Sequence, residues 1–258
     1  MKTKDRIILG ALTLFNQNGE RNITTNHIAA HLEISPGNLY YHFRNKEEII
    51  NSIFDNYAQE LRTRFKPMAE EEQSNMPSVQ IMLSYLDSIF ELMWNYRFFY
   101  ANLPDILSRD EKLKQKYTQA QLALHDNLIA IMNNFRDSGL IALEDDELQA
   151  LTKTLHLVAS CWINYQTALL SDNEITENVI YQGMLQMLNV VRPMATKQGR
   201  EQILKDNPST CVHTCAGLLL HGCRPLCALL TGAQTRGAAE CGEPGAALAS
   251  RFPHKKIQ

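Results

Sequence analysis

The sequence predicts an all-α protein in which a head of short helices, including a helix-turn-helix motif, precedes a longer helical bundle. Apolar residues recur at helical spacing from the start to about residue 195, and no segment alternates convincingly as a β-strand does. Charge also divides the chain, because residues 1–46 hold six Lys and Arg against three Asp and Glu. This net charge of +3 leaves −6 for the remainder of a chain whose net charge is −3. A basic head on an acidic body indicates that the head meets a polyanion.

Length and composition narrow the class of protein. The chain has 258 residues, of which 45% are hydrophobic and 21% charged, and these values are ordinary for a globular protein with a core. No apolar run reaches the roughly 18 residues of a membrane-spanning helix. The early lysines and the short apolar segment resemble a signal peptide, but Asp5 lies in the charged part and no small-x-small cleavage site follows. We therefore expect a cytoplasmic protein with no membrane partner.

The first two helices of the head have recognisable start and stop signals. Apolar residues at helical spacing predict a helix over about residues 4–18, and Gly19 is suited to the left-handed conformation that ends a helix. Thr24 and Thr25 offer an N-cap for a second helix, because a threonine hydroxyl accepts a hydrogen bond from a backbone N–H of the first turn.

The next two helices follow at once. A third, very short helix is expected near Pro36, since the N–H that proline lacks has no partner in a first helical turn. Asn45 is positioned to cap a fourth helix, with Glu47 and Glu48 at the end where the helix dipole favours anions. The second and third helices, joined by a turn over residues 33–35, have the dimensions of a helix-turn-helix motif.

The body is expected to be a bundle of longer amphipathic helices. A polar, acidic connector over residues 67–77 precedes it, and turn residues follow at 138–139 and 171–173. The predicted helices cover about residues 78–102, 104–138, 145–171 and 175–195. We divide the chain into a helix-turn-helix domain over residues 1–50, a helical domain over residues 51–200 and a tail over residues 201–258.

The tail differs in composition from everything before it. Five of the six cysteines lie there, with abundant Ala, Gly and Leu and no helical periodicity. They are Cys211, Cys215, Cys223, Cys227 and Cys241. Structural zinc sites generally use CxxC pairs, whereas three residues separate both pairs here, so a disordered or weakly structured extension and a metal module both stay open. We favour the extension, and we assign no metal ligand and no cofactor.

The segment ISPGNLYYHFRNK, residues 34–46, carries the chemistry of the head. In a helix-turn-helix motif the second helix enters the major groove of DNA, with its N-terminal residues nearest the base edges. Small residues at its start allow close approach of the backbone, Asn38 can hydrogen-bond a base edge, and polar-tipped rings and a cation can reach phosphates. The small residues are Ser35, Pro36 and Gly37, and the expected phosphate contacts are Tyr40, Tyr41, His42 and Lys46. The segment therefore indicates double-stranded DNA as the partner.

The same rings allow a second interpretation. Adjacent aromatic side chains frequently form a packed cluster, and Leu39 and Phe43, four residues apart, are expected to anchor this helix in the small core of the head. An all-helical adaptor that binds proteins and not DNA is the alternative function. Packing alone does not explain the small residues before the rings or the capped, cation-bearing junction after them.

Enzyme motifs are missing from the sequence. It contains no phosphate-binding loop, no dinucleotide fingerprint and no G-x-S-x-G nucleophile motif. His27 and His31 stand four residues apart, but the glutamate and the third ligand of a zinc protease site do not accompany them. We expect no catalytic residues and no enzymatic activity.

Three motifs occur together in the head: ILGALTLFNQNG at residues 8–19, Thr-Thr-x-x-Ile-Ala at residues 24–29, and LYYHFRNKE at residues 39–47. Together they resemble the N-terminal domain of the TetR family of bacterial transcriptional regulators. One departure is Glu33, where that family usually has glycine in the turn. The resemblance implies DNA contacts at the matching positions, which are Thr25, Asn26, Pro36, Gly37, Asn38, Tyr40, Tyr41, His42 and Lys46.

The resemblance also implies what residues 51–200 do. They would form a regulatory and dimerisation domain, so that the protein is a homodimeric repressor released from a pseudo-palindromic operator by a small-molecule effector. Few cations look buried there, which favours an apolar or aromatic effector. The aromatic candidates for its pocket are Trp94, Tyr96, Phe98, Phe99, Tyr100, His125, His156, Trp162 and Tyr165. We assign the pocket to Trp94, Phe98, Phe99, His125, Trp162 and Tyr165. The family pattern assigns dimerisation to the last two long helices, with apolar faces that include Leu151, Leu155, Val158, Ala159, Ile180, Met184, Met187, Leu188 and Val191.

Overall fold

A computed structural model describes residues 1–69, 78–169 and 175–205. Within these ranges the chain forms α-helices, two short 3₁₀ turns and a single isolated β-bridge, and it has no β-strand. The helices are α1 (Thr3–Asn18), α2 (Thr25–His31), α3 (Pro36–His42), α4 (Lys46–Arg64), α5 (Ser78–Asn95), α6 (Arg97–Arg109), α7 (Glu111–Asp137), α8 (Asp145–Thr167), α9 (Glu177–Val191) and α10 (Lys197–Lys205). The all-α prediction is confirmed.

The predicted start and stop signals of the head are confirmed. Gly19 follows α1 with a φ of 78°, and its N–H donates to the carbonyl of Phe15. The side chains of Thr24, Ser35 and Asn45 accept hydrogen bonds from backbone N–H groups in the first turns of α2, α3 and α4. Each of these caps lies three residues from its partner, so the sequence neighbourhood alone sets where the helix begins.

The head is held together by a small apolar core. Ile7, Ala11 and Phe15 of α1 are buried, as are Ile28 of α2 and Leu39 of α3. Gly10 of α1 also matters, because a Cβ atom there would meet the side chain of Leu32 at 2.8 Å. This close approach fixes α2, and through it α3, against α1.

The first long helix of the body is shorter than the sequence predicts. α5 ends at Asn95, and α6 begins at Arg97 and continues through Pro104, so the predicted helices over 78–102 and 104–138 have the wrong boundary. The break between α5 and α6 is stabilised by Asn16 of α1. Its amide donates to the carbonyl of Asn95 at 2.7 Å and accepts from the N–H of Phe98 at 3.1 Å, which satisfies the backbone on both sides.

Helices α5 to α9 pack into a bundle, in which α8 lies against α6, α7 and α9. The 3₁₀ turn Arg192–Met194 and helix α10 follow α9, and the sequence predicts neither. Ile141 and Ala195 form an antiparallel bridge that ties the end of the chain's described part to the α7–α8 loop. Among the described residues, none of the helices combines the length and apolarity that crossing a membrane requires.

The head and the body share a continuous core. The boundary expected at residue 50 falls inside α4, whose buried face runs from Ile49 to Leu61. The same core cluster contains Phe15 of the head and Phe98 of the body, whose ring centroids are 5.3 Å apart. Most of the predicted connector, the turn at 171–173 and the cysteine-rich tail lie outside the described residues.

Candidate nucleic-acid interface and ligand cavity

Helix α3 divides its side chains between the core and an exposed face. Leu39 and Phe43 are buried, as their spacing predicts, whereas Tyr41 is 84% exposed and Tyr40 48%. Asn38 is also exposed, one turn closer to the helix start. Because the rings separate in this way, the interpretation of all four rings as one packed cluster is wrong. The polar tips of α3 are free to meet a partner.

The start of α3 is built from small, exposed residues. Ser35 caps the helix, Pro36 is its first residue, and all three of Ser35, Pro36 and Gly37 are exposed. A Cβ atom on Gly37 would meet only the Ser35 hydroxyl, at 3.9 Å, which is ordinary contact. Internal packing therefore does not require glycine at this position. Because glycine has no side chain, another molecule can approach the backbone closely.

Helix α2 contributes its N-terminus to the same surface. The Thr25 hydroxyl and the Tyr40 hydroxyl lie 3.0 Å apart, within hydrogen-bonding distance. Asn26 is exposed beside Thr25, and His42 is half-buried with its ring edge-on to Tyr41 at 5.1 Å. The structure therefore brings together Thr25, Asn26 and the α3 residues on one continuous surface, which we call the recognition surface.

Lys46, for which the sequence predicts a DNA contact, is engaged inside the head. Its ammonium group donates to the carbonyls of Glu20 and Ile23 at 3.0 and 3.1 Å, and it lies 2.8 Å from a carboxylate oxygen of Glu20. Two of its three N–H donors are thus used by backbone carbonyls, and Glu20 supplies the counter-charge. The side chain is only 19% exposed, so it faces the interior of the head.

Glu20 joins this lysine to the body of the protein. Its carboxylate is fully buried, and its second oxygen lies 2.8 Å from the guanidinium of Arg109 at the end of α6. Arg109 also pairs with Asp105, which in turn holds Arg21 of the head. The Arg21 guanidinium, first through its hydrogen bond, lowers the pKa of the Asp105 carboxyl. We call Glu20, Lys46 and Arg109 the junction cluster.

Arg44 is a cation that the sequence analysis did not single out. It is exposed between His42 and the N-cap of α4, and it forms no ion pair with any part of the chain that the structure describes. Its position within ISPGNLYYHFRNK was the available signal. Arg44 is therefore the free cation at the edge of the recognition surface.

The turn between α2 and α3 contains a strained residue. Glu33 has a φ of 55°, a left-handed conformation that costs free energy for residues with a side chain. Glu33 is exposed, two residues before the N-cap of α3. It thus combines backbone strain with a negative charge close in sequence to the recognition surface.

The body encloses a cavity of about 160 Å³ between α4, α5, α7, α8 and α9. Apolar side chains make most of its wall, including Leu61, Phe65, Met82, Leu86, Ile89, Met93, Leu124, Leu128, Ile131, Met132, Phe135, Leu155, Met187, Leu188 and Val191. Polar groups come from Tyr57, Tyr85, Tyr100, Gln121, His156 and Ser160. Among the residues that the structure describes, neither lysine nor arginine lines the cavity.

None of the six residues assigned to the effector pocket lines this cavity, whereas the candidates Tyr100 and His156 do. The assignment of the effector pocket itself stays a prediction. Phe98 packs on Phe15 of the head, and Phe99 packs on Phe54 and Tyr57 of α4. Trp94 lies under the guanidinium of Arg97, 4.0 Å from its ring centroid. The rings around residues 94–100 surround a helix break, so several of them pack where α6 turns toward the head.

The other three predicted pocket residues lie along α7 and α8. The indole N–H of Trp162 donates to the carbonyl of Val179, and its ring fills the space where Gly183 of α9 has no side chain. Tyr165 is 57% exposed. His125 stacks on His156 with ring centroids 6.1 Å apart, and only His156 reaches the cavity. Burial and then the nearby His125 lower the pKa of His156.

Apolar residues on α8 and just after its end form an exposed stripe. Leu157, Tyr165 and Leu169 are 62%, 57% and 65% exposed, and Cys161 is exposed between them at the same four-residue spacing. By contrast, the α9 residues expected at a dimer contact belong to the chain's own core. Ile180, Met184, Met187 and Leu188 are all buried. A dimer contact through α8 and α9 would therefore centre on α8.

The described residues contain no group of three or more His, Cys, Asp or Glu side chains that could hold a metal ion. The cysteines proposed as alternative zinc ligands lie in the tail, outside the described residues.

The fold and the recognition surface define a helix-turn-helix transcriptional regulator. A family model described as "Bacterial regulatory proteins, tetR family" matches residues 7–53, and one described as "Bacterial transcriptional repressor" matches residues 56–203. The chain belongs to the TetR family. Homodimers and ligand binding are typical of this family.

Individual relatives agree with this family. A TetR-family transcriptional regulator from Marinobacter aquaeolei VT8 has a crystal structure that is 38% identical, with a TM-score of 0.66, over 80% of this chain and 97% of that one. A TetR transcription regulator from Haloarcula marismortui, 15% identical with a TM-score of 0.55 over 75% and 98% of the two chains, has the same fold. An HTH-type transcriptional regulator of Staphylococcus aureus is 33% identical over 85 residues, which is 33% of this chain and 46% of the relative. The chain thus spans about half the length of the curated relatives that it matches.

Proposed function

We propose that the chain is a sequence-specific DNA-binding repressor that acts as a homodimer and leaves a pseudo-palindromic operator when a small-molecule effector binds. The observation that carries the proposal is the outward face of α3, where small residues precede Asn38 and exposed polar rings. Residues 1–50 supply the DNA-binding head. As a DNA-binding protein it would act in the bacterial cytoplasm, and the proposal assigns it no enzymatic reaction.

Each residue of the recognition surface has a stated role in this proposal. Asn38 hydrogen-bonds a base edge, for which adenine is the usual partner of asparagine. Thr25, Asn26, Tyr40, Tyr41 and His42 contact phosphates, and Ser35, Pro36 and Gly37 let the backbone approach. Arg44 takes the cationic role first expected of Lys46, because its guanidinium is exposed and Lys46 is committed to Glu20.

The dimer is proposed to form through the exposed apolar stripe of α8. Solvent-exposed leucines at helical spacing on one face favour contact with another apolar surface. Two heads must fit successive major grooves about 34–36 Å apart, so a small rotation of one head is enough to abolish the fit. An effector that binds better to the wrongly spaced state releases the operator. It can shift the equilibrium between the two states by no more than the difference between its binding free energies for them.

The cavity between α4, α5, α7, α8 and α9 is the proposed effector site, in place of the six residues first expected. It supports the proposal because it touches α4, the helix that begins beside α3 and reaches Tyr57, Leu61 and Phe65 on the cavity wall. A ligand that moves α4 therefore acts on the element next to the recognition surface.

The salt dependence of DNA binding tests the proposal. We expect the logarithm of the association constant to fall steeply with the logarithm of salt concentration, because phosphate contacts release counterions. Arg44→Gln should lower this slope by about one and weaken binding to all sequences. Arg62→Gln is the matched control, since Arg62 is exposed on α4 and its guanidinium donates to Gln59. Binding without a salt slope, or equal slopes for the two variants, would contradict the proposed interface.

A further inference from the structure

We propose that the cavity selects an uncharged, elongated molecule with an apolar body and one hydrogen-bond-accepting end group, such as the oxygen of a hydroxyl or a carbonyl. This inference rests on the proposed effector function and specifies the chemistry of that site. It follows from the distribution of polar groups around the cavity and from the kinds of side chain that are missing from its wall.

The cavity is elongated along α7. Its wall includes Gln121 near the middle of that helix and Phe135 near its end, and 14 residues of helix span roughly 20 Å at about 1.5 Å each. The volume of about 160 Å³ holds on the order of ten water-sized groups. A narrow molecule of roughly that many non-hydrogen atoms matches the volume and is short enough to lie within the lined stretch of α7.

One end of the cavity is apolar. Ile131, Met132 and Phe135 of α7 line it together with Leu140 and Ile141 of the following loop. Helix α9 closes the same end with Met187, Leu188 and Val191. Tyr85 also packs on Phe135 at this end, and its hydroxyl donates to the carbonyl of Lys66 at 3.1 Å. A hydrocarbon segment replaces water against these apolar side chains at no cost in hydrogen bonds.

The other end holds hydrogen-bonding groups. The Tyr57 and Tyr100 hydroxyls lie 3.2 Å apart, and Nε2 of His156 lies 2.6 Å from the amide oxygen of Gln121. The four groups thus form two hydrogen-bonded pairs on the cavity wall. Two tyrosine hydroxyls carry two hydrogens and use one between them, which leaves a donor for an acceptor on the ligand.

Charge on the ligand is disfavoured at both ends. In the described part of the chain, the wall has no lysine or arginine to pair with an anion and no aspartate or glutamate to pair with a cation. Burial raises the pKa values of Tyr57 and Tyr100 and lowers that of His156, so these groups are neutral at neutral pH. An unpaired ion in such a site pays a large desolvation cost.

Three probes with the same hydrocarbon chain separate these effects. We would titrate the full-length protein at pH 7.5 with 1-decanol, decanoate and decylammonium, and follow binding by calorimetry. The expected dissociation constant of 1-decanol is at least tenfold lower than that of either ion. Binding of decanoate or decylammonium as tight as that of the alcohol would overturn the inference.

Variants identify the polar end. Gln121→Leu and Tyr100→Phe should each weaken 1-decanol binding by about fivefold, the effect of one neutral hydrogen bond. Gln149→Leu is the matched control, because Gln149 is exposed on α8 and does not line this cavity. Ala159→Phe, which fills the cavity, should abolish binding. Equal alcohol affinity in Gln121→Leu, Tyr100→Phe and the control would overturn the assignment of the polar end.

DNA binding measured without any probe keeps this inference separate from the proposed function. If the protein binds DNA with a steep salt slope but none of the three probes binds, the ligand inference falls and the regulator proposal stands. If DNA binding itself is absent, the regulator proposal falls whatever the probes do. The same DNA assay reports whether each cavity variant has kept its fold.

Discussion

Two groups of polar side chains in the head have opposite environments. On the recognition surface, Asn38 and Tyr41 are exposed and have no ionic partner, whereas in the junction cluster the buried Glu20 carboxylate forms ion pairs with Lys46 and Arg109. The exposed group can exchange water for phosphate or base contacts at little cost to the fold. The buried group cannot leave its partners without exposing Glu20, so it stabilises the attachment of the head to the body. Cations in the same short segment, Arg44 and Lys46, therefore have different roles.

Glu20→Gln is the largest test of this comparison. The substitution keeps the shape of the side chain but leaves the ammonium of Lys46 without its counter-charge, and Arg109 loses one of its two carboxylate partners. We expect the free energy of unfolding to fall by about 3 kcal/mol, at the lower end for breaking a buried pair because Arg109 is 37% exposed. Urea unfolding measures the change.

The control for Glu20→Gln is Glu111→Gln. Glu111 is exposed and pairs with Lys114 at 3.7 Å, a surface contact expected to be worth less than about 1 kcal/mol. Similar losses of stability in the two variants would show that the burial of Glu20 adds nothing to the free energy of unfolding.

Lys46→Met separates the two cations of the segment. It removes the donor to the carbonyls of Glu20 and Ile23, and we expect a loss of about 2 kcal/mol in stability, since Glu20 keeps its pair with Arg109. The salt slope of DNA binding should stay as in the unsubstituted chain. A slope lowered by about one, as expected for Arg44→Gln, would mean that Lys46 contacts a phosphate after all.

Glu33→Gly has the smallest expected effect. It changes both the stability of the head and the charge beside the recognition surface. Glycine adopts a φ of 55° without strain, so the free energy of unfolding should rise by about 1 kcal/mol after the greater freedom of the unfolded chain is counted. DNA binding should also tighten, because a negative charge is lost beside the recognition surface. Glu33→Gln keeps the strain and removes the charge, so it should tighten DNA binding without raising stability.

The head was predictable from sequence because its signals are local. Thr24, Ser35 and Asn45 cap helices three residues away, and the four-residue spacing of Leu39 and Phe43 sets which face of α3 is buried. Neither kind of signal depends on how distant segments meet. The exposed residues of the recognition surface could therefore be named before the fold was known.

The body was less predictable because its geometry depends on contacts between distant segments. The break at Tyr96 is satisfied by Asn16, about 80 residues earlier, and it turns Phe98 and Phe99 toward the head and α4. The role of Lys46 likewise depends on Glu20, which lies 26 residues away. No local sequence pattern indicates such pairs of distant residues. The sequence therefore did not reveal that Phe98 and Phe99 pack on the head and α4 while other side chains line the cavity.

The most direct test of the central claim is base readout by Asn38. DNA sequences selected from a random pool by the unsubstituted protein should converge on a pseudo-palindrome with half-sites about 10 base pairs apart. Asn38→Ala should lose about 1–3 kcal/mol of binding free energy to the selected sequence and almost none to a scrambled one. If no sequence is enriched, or if Asn38→Ala distinguishes the two DNAs as well as the unsubstituted protein does, α3 is not the helix that reads the operator.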